Sequence, residues 1–205
     1  MIKDYGFEPY DLPFNQAAHN NKRPIYQVLQ AVLSGRQSIF EVGSGTGQHA
    51  VYFCRQQQSW LWQPSDVEKH TASCRAWFAK AKLNNINPVK GFTVGQSDVG
   101  FLSQYTAVYS ANTLHIMAKN LSQNLIVALA ENMQTGGHFC CYGPFKVNGE
   151  FTTASNADFN DWLVQQGYGG LIDIDDIEAW SQNRLILQHA YAMPANNFLL
   201  HFIKQ

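Results

Sequence analysis

Two periods alternate along the chain. Short apolar runs rich in β-branched and aromatic residues are separated by longer segments whose apolar residues recur at three and four spacing. That alternation is βαβ order, the pattern of a mostly parallel sheet with helices on its faces. Residues 24–33 read as a helix with Pro24 in its first turn and Ile25, Val28, Leu29 and Val32 on one face. A strand follows at 38–42, a glycine turn at 43–47 and a helix to about residue 57. Strand 60–63, helix 67–83, strand 89–94, strand 107–110, helix 121–133 and strand 138–142 complete five β/α units. Beyond them come a loop through Asn148-Gly149, helices near 157–166 and 174–181, and two strands, 185–191 and 198–203, that read as an antiparallel pair.

Composition narrows the class. The chain has 205 residues, enough for one ordinary domain with its own core, and 1–205 reads as a single domain. Fourteen Lys and Arg against fifteen Asp and Glu leave a formal charge of −1, with 14% charged residues where a soluble domain averages roughly 25%. No window holds a basic run, so a nucleic-acid partner is not expected. No apolar run approaches the roughly 18 residues of a membrane span, and the first thirty residues carry Asp4, Glu8, Asp11, Pro9 and Pro13 where a secretion signal needs an apolar stretch. Cys54, Cys74, Cys140 and Cys141 show no C-x-x-C spacing, and no histidine pair flanks a carboxylate at helical spacing, so neither disulfide nor metal site is expected. A cytoplasmic protein with reduced thiols is the reading, its oligomeric state open.

The sharpest signal is Glu41-Val42-Gly43-Ser44-Gly45-Thr46-Gly47 at the end of the first strand. Glycines at alternate positions leave the main chain bare at a strand-to-helix turn, where a nucleotide-like ligand can approach the backbone and the following helix. The segment Gly45-Thr46-Gly47-Gln48-His49-Ala50 matches the dinucleotide string G-x-G-x-x-G/A, which keeps an NAD-dependent oxidoreductase as a remote alternative. Registered from Gly43, however, the sixth position is Gln48 and that fingerprint fails. An acid two residues before the first glycine is instead the habit of S-adenosylmethionine (SAM) sites, where Glu41 would face the sulfonium and ammonium of the methionyl end. Asp66 follows the second strand, where a carboxylate can accept from both ribose hydroxyls of either cofactor. Asp98, past the third strand beside Val99, can accept from an adenine amino group.

Longer strings carry a family likeness. Asn21-Lys22-x-Pro24-Ile25, the run from Glu41 to Ala50, Trp62 to Asp66, Ala111-Asn112-x-Leu114-His115-Ile116, Tyr142 to Gly149, Ser155-Asn156-Ala157-x-Phe159 and Met193 to Asn197 together resemble class I SAM-dependent methyltransferases. More narrowly, they resemble the small group that includes methyltransferase-like protein 26 and its bacterial relatives. The resemblance implies a Rossmann-like α/β fold, with a seven-stranded, mostly parallel sheet, an antiparallel last strand and helices on both faces. It implies a SAM site built from Glu41, Gly43, Gly45, Gly47, Asp66, Asp98 and Asn112, with S-adenosylhomocysteine as product; Asn21, Ser44, Thr46 and Val99, beside these residues or in the polar lead-in to the first helix, are further candidate cofactor contacts. The chain departs from the group at His19-Asn20, where the group has Glu-Arg, and at residues 169–173, where it has Trp-Gly-x-Arg-Asp. Those departures bear on the acceptor more than on the cofactor.

Methyl transfer asks the protein to align an acceptor and, for some acceptors, to remove a proton. His115, after the fourth strand, is the candidate base; an ordinary histidine pKa near 6.5 suits that task. Tyr142, Asn148 and Asn156, in the loops beyond the fifth strand, are candidate substrate-binding residues or hold those loops. His49, on the helix after the glycine turn, reads as structural. The expected acceptor is a small or medium-sized molecule, and the alternative is a protein that binds SAM without turnover. Residues 1–35 are expected to cover the cofactor side, with Asn20-Asn21-Lys22 as a polar lead-in to the helix at Pro24.

Overall fold

A computed structural model describes residues 2–205. Its main sheet contains β1 (Gln37–Val42), β2 (Trp60–Asp66), β3 (Lys90–Gly91), β4 (Ala107–Ala111), β5 (His138–Gly143), β8 (Leu185–Met193) and β9 (Asn197–Lys204). β6 (Lys146–Val147) and β7 (Glu150–Phe151) form a separate small hairpin. The strand order is β3-β2-β1-β4-β5-β9-β8, mostly parallel, with the last strand reversed as expected. The helices are α1 (Ile2–Tyr5), α2 (Gln16–Val32), α3 (Gln48–Gln56), α4 (Thr71–Ala81), α5 (Lys119–Asn132), α6 (Ala154–Gln165) and α7 (Ile174–Trp180). The chain forms two compact units, the first ending at Thr93 and the second being Val94–Gln205.

In the first unit β1 runs parallel to β2, with Gln37 opposite Trp60 and Val42 opposite Ser65. The last four residues of β1 are all buried, as a strand covered on both faces requires. Trp60, Trp62, Trp77, Tyr5, Phe40 and Phe53 are among its largest fully buried side chains. Tyr5 meets Trp77 edge-on at 4.9 Å, which packs α1 into this core.

The amino-terminal helix differs from expectation. α2 begins at Gln16, eight residues before Pro24, because the Asn15 side chain caps it by accepting from Ala18 N–H. Pro24 therefore sits inside the helix, and Asn20, Asn21 and Lys22 belong to α2 instead of leading into it. The third strand is also shorter than expected, pairing only Ser65 with Lys90 and Asp66 with Gly91. The helix read at 67–83 divides into a single 3-10 turn at Glu68–His70 and α4.

The second unit pairs β4 with β5 in parallel and sets β9 antiparallel between β5 and β8. α5 packs Ser122, Leu125, Ile126, Leu129 and Ala130 at three and four spacing. The stretch read as a loop holds the β6–β7 hairpin, whose turn residues Asn148 and Gly149 both have left-handed backbones, at φ 52° and 82°.

Candidate functional site

Each unit carries one cluster at the carboxyl ends of its strands. In the first, Gly43, Gly45 and Gly47 have φ of 76°, 57° and 84°, so the alternate glycines answer a backbone demand as well as leaving the chain bare. A Cβ on Gly47 would lie 2.8 Å from the Phe78 ring, whereas a Cβ on Gly45 would project into open space. The turn is fastened to β2: Gly43 and Ser44 N–H both donate to Ser65 O, and Ser65 N–H donates to Ser44 Oγ at 3.1 Å.

Glu41 lies beneath this turn and is 2% exposed. Ser44 Oγ donates to its Oε2 at 2.7 Å and Trp62 Nε1 donates to the same oxygen at 2.8 Å. Burial pushes the carboxyl up to about 7 despite those donors. Asp66, at the end of β2, accepts from Gly45 N–H through Oδ2 and from Val67 N–H through Oδ1, both at 2.8 Å, with His70 Nδ1 3.4 Å from Oδ1. Thr46 Oγ1 donates to Gln48 Oε1.

Gln48 is a residue that pattern reading passed over. Fully buried at the start of α3, it accepts from Asn15 N–H at 2.6 Å and donates through Nε2 to Asn15 O and Tyr5 Oη, each at 3.2 Å. The same residue that breaks the dinucleotide fingerprint thus ties down the amino-terminal segment. Asn21 is buried and its Oδ1 lies 2.7 Å from His49 Nε2, linking α2 to α3. Burial lowers His49 to about 4, so the ring is neutral and donates that bond, in line with a structural role. The Lys22 ammonium is also buried, bonded to His19 O at 2.5 Å and paired with Asp4 at 3.5 Å.

In the second unit, Asn112 follows β4 with φ 52°, and His115 lies in a 3-10 turn, Leu114–Ile116. Among the described residues neither side chain forms a hydrogen bond, although His115 is only 6% exposed. Both line the space above Gly143 on β5: a Cβ there would sit 3.6 Å from His115 Nδ1 and 3.7 Å from Asn112 Oδ1. Burial lowers His115 to about 4, leaving a neutral ring with a free lone pair. Tyr142 is buried on β5, where its carbonyl accepts from Asn112 N–H.

The other expected residues occupy turns. Asp98 is exposed and accepts from Gly100 N–H at 3.1 Å, with Val99 at the head of a 3-10 turn. Asn148 sits in the β6–β7 turn. Asn156 is buried at the start of α6 and donates to Thr152 Oγ1 and Asn196 O, joining two of the longer sequence strings. Among the described residues no helix is long and apolar enough to cross a membrane, and no group of three or more His, Cys, Asp or Glu could hold a metal ion.

A family model described as "Protein of unknown function (DUF938)" matches residues 12–204. The fold is similar to that of an O-methyltransferase family 2 protein from Planctomyces limnophilus solved in complex with apigenin, with TM-score 0.80 at 13% identity, covering 93% of this chain and 59% of that one. An O-methyltransferase family protein from Burkholderia thailandensis matches with TM-score 0.76 at 16% identity, over 94% of this chain and 58% of that one. An O-methyltransferase from neocarzinostatin biosynthesis, in complex with S-adenosylmethionine and 2-hydroxy-5-methyl naphthoic acid, matches with TM-score 0.74 at 12% identity, over 92% and 55%. The chain thus spans less than two thirds of the length of these structures, and the likeness is one of fold.

Proposed function

The chain belongs to the family described as protein of unknown function DUF938, and from that premise we propose that it is a SAM-dependent methyltransferase acting on a small or medium-sized acceptor, within the narrower group of methyltransferase-like protein 26. The observation that carries this reading is the glycine turn after β1. All three glycines are left-handed, Gly45 faces open space, and acids stand beneath the turn and beside it at Glu41 and Asp66. A ligand can reach that backbone where a side chain would stand, so the residues present fit the cofactor. The fold shared with O-methyltransferases, one of them solved with S-adenosylmethionine, supports the same reading.

On the first unit Asn21, Glu41, Gly43, Ser44, Gly45, Thr46, Gly47 and Asp66 would contact SAM; on the second, Asp98, Val99 and Asn112 would. When bound, SAM supplies a methyl group on a sulfonium that needs no covalent activation. Asp66 offers its carboxylate to ribose hydroxyls, and Glu41 offers a carboxyl whose charge is gained near pH 7. His115 holds a free lone pair that can take the acceptor's proton, and Tyr142 lines the acceptor side. A second reading, SAM binding without turnover, is favoured by one observation: burial lowers His115 to about 4, which makes it a weak base.

Calorimetry tests the cofactor. Saturable binding of SAM and S-adenosylhomocysteine, lost in Asp66→Ala and weakened in Glu41→Ala, is expected; binding of NAD with no response to SAM overturns the reading. Release of S-adenosylhomocysteine on incubation with a cell metabolite pool separates turnover from binding alone. Activity on extracted RNA or DNA would overturn the assignment to small acceptors.

A further inference from the structure

Beside His115 the second unit exposes a set of aromatic side chains that its core does not use. Phe159 meets the His115 ring edge-on at 5.7 Å and 72°. Phe159 stacks on Trp162 at 5.9 Å with only 11° between the planes, and Trp162 lies 6.3 Å from Tyr168. Phe159, Trp162 and Tyr168 are 36%, 49% and 43% exposed. An aromatic group this large left open to water marks a place where something apolar comes to rest. What comes to rest must also answer the two polar side chains next to it. The side chains of His115 and Asn112 form no hydrogen bond among the described residues and converge on Gly143, whose missing side chain leaves their polar atoms uncovered.

We propose that this His115, Asn112 and Gly143 corner with its Phe159–Trp162 stack is an acceptor subsite for a planar aromatic molecule bearing a neutral hydroxyl group. The proposal rests on the methyl-transfer reading above and names its substrate class. A neutral imidazole has one N–H and one lone pair, so a hydroxyl can both donate to it and accept from it, which neither an ether nor an alkane can. A flat ring can stack on the exposed Phe159 and Trp162 side chains, whereas a saturated ring system of the same size meets them with less contact area and without π-stacking. A second copy of the chain could cover the aromatic side chains, but a flat protein surface does not reach a histidine that is 6% exposed.

The probe is 2-naphthol, titrated calorimetrically into the full chain with and without SAM. Saturable binding is expected, about three- to tenfold tighter than that of decahydro-2-naphthol or 2-methoxynaphthalene. Trp162→Ala and His115→Asn should each weaken 2-naphthol by a similar factor, and Trp162→Ala should leave SAM binding unchanged. Gly143→Ala, whose new methyl makes only ordinary contacts, should fold and weaken 2-naphthol too. Equal affinity for the saturated or methylated analogue, or 2-naphthol binding indifferent to all three substitutions, overturns the subsite. So does a concentration-dependent dimer in sedimentation that Trp162→Ala abolishes and 2-naphthol does not disturb. Failure of SAM to bind while 2-naphthol binds as expected would strike the methyl-transfer reading and spare the subsite.

Discussion

Gln48 and Asn15 pair their amides in both directions: Asn15 N–H donates to Gln48 Oε1 at 2.6 Å, and Gln48 Nε2 donates back to Asn15 O at 3.2 Å. Asn15 is also the cap of α2, so one buried side chain fixes the start of that helix to the turn after the glycines. Gln48→Ala should cost about 1–3 kcal/mol, since it strands buried polar groups around Tyr5 and Asn15. Gln48→Glu should cost at least as much, because a carboxylate then faces the Asn15 carbonyl. Urea unfolding gives the stability, and hydrogen exchange should show the Asn15 amide losing protection first. Unchanged exchange in a destabilised Gln48→Ala would mean that the clamp is not what holds the segment.

The glycine turn could be read in the letters because its geometry is demanded one residue at a time: few side chains tolerate φ near 60–80°, so three glycines at alternate positions announce the backbone. The start of α2 escaped for the opposite reason. Pro24 suits a first helical turn, but the Asn15 cap and the packing of Asn21 and Lys22 outweigh the one N–H that an interior proline removes. Asp66 and Glu41 were legible as acids at strand ends; that Trp62 and Ser44 both donate to one Glu41 oxygen depends on register between β1 and β2, which no local pattern encodes. Asn112 and His115 were legible as types, while the lack of a side-chain hydrogen bond at either, among the described residues, is a fact of packing alone.

Glu41 sets a pH dependence that should be separable from the histidines. Its folded carboxyl titrates near 7 instead of near 4.5, so its contribution to stability is complete below about pH 4.5 and is lost as pH rises through about 7. His49, His115 and His201, lowered to about 4 from 6.5, act in the opposite sense: their contribution is complete above 6.5 and is lost as pH falls through about 4. From pH 6.5 to 7.5 Glu41 alone among these four still titrates in the fold. Unfolded histidines still lose protons in that interval, so the carboxyl is read as a difference: Glu41→Gln keeps an acceptor for Trp62 and Ser44, and its urea midpoint should rise relative to that of the wild type as pH increases from 5 to 7.5. A difference between the two proteins that does not change with pH would assign the dependence to another group.

Gly45 and Gly47 should separate ligand contact from folding. Gly47→Ala combines a left-handed backbone with a Cβ 2.8 Å from the Phe78 ring, and it should cost well over 2 kcal/mol. Gly45→Ala bears only the backbone strain, about 1–2 kcal/mol, because its Cβ meets nothing within 4 Å. Calorimetry on the folded Gly45→Ala protein should nevertheless show SAM affinity reduced at least tenfold, since the new methyl occupies the open side of the turn. Full SAM affinity in that variant would place the cofactor elsewhere.

Asn156 tests whether a residue in a long family-like string serves the acceptor or the fold. Its Nδ2 donates to Thr152 Oγ1 at 2.9 Å and to Asn196 O at 3.1 Å, while Asn196 Nδ2 donates to Ser155 Oγ at 3.2 Å. Those bonds hold the turn between β8 and β9, where Ala195 and Asn196 are both left-handed at φ 59° and 55°. A turn with a β-carbon strained at Ala195 needs such an anchor from outside the hairpin. Asn156→Ala should therefore lower stability by about 1–2 kcal/mol, a fall in Tm of roughly 2–8 °C for a chain of this size. Asn156→Asp, which turns the Asn196 carbonyl toward a second acceptor, should cost more. Both variants should keep wild-type affinity for 2-naphthol under conditions where they are folded; a loss of affinity without a loss of stability would move Asn156 from the hairpin anchor to the acceptor pocket.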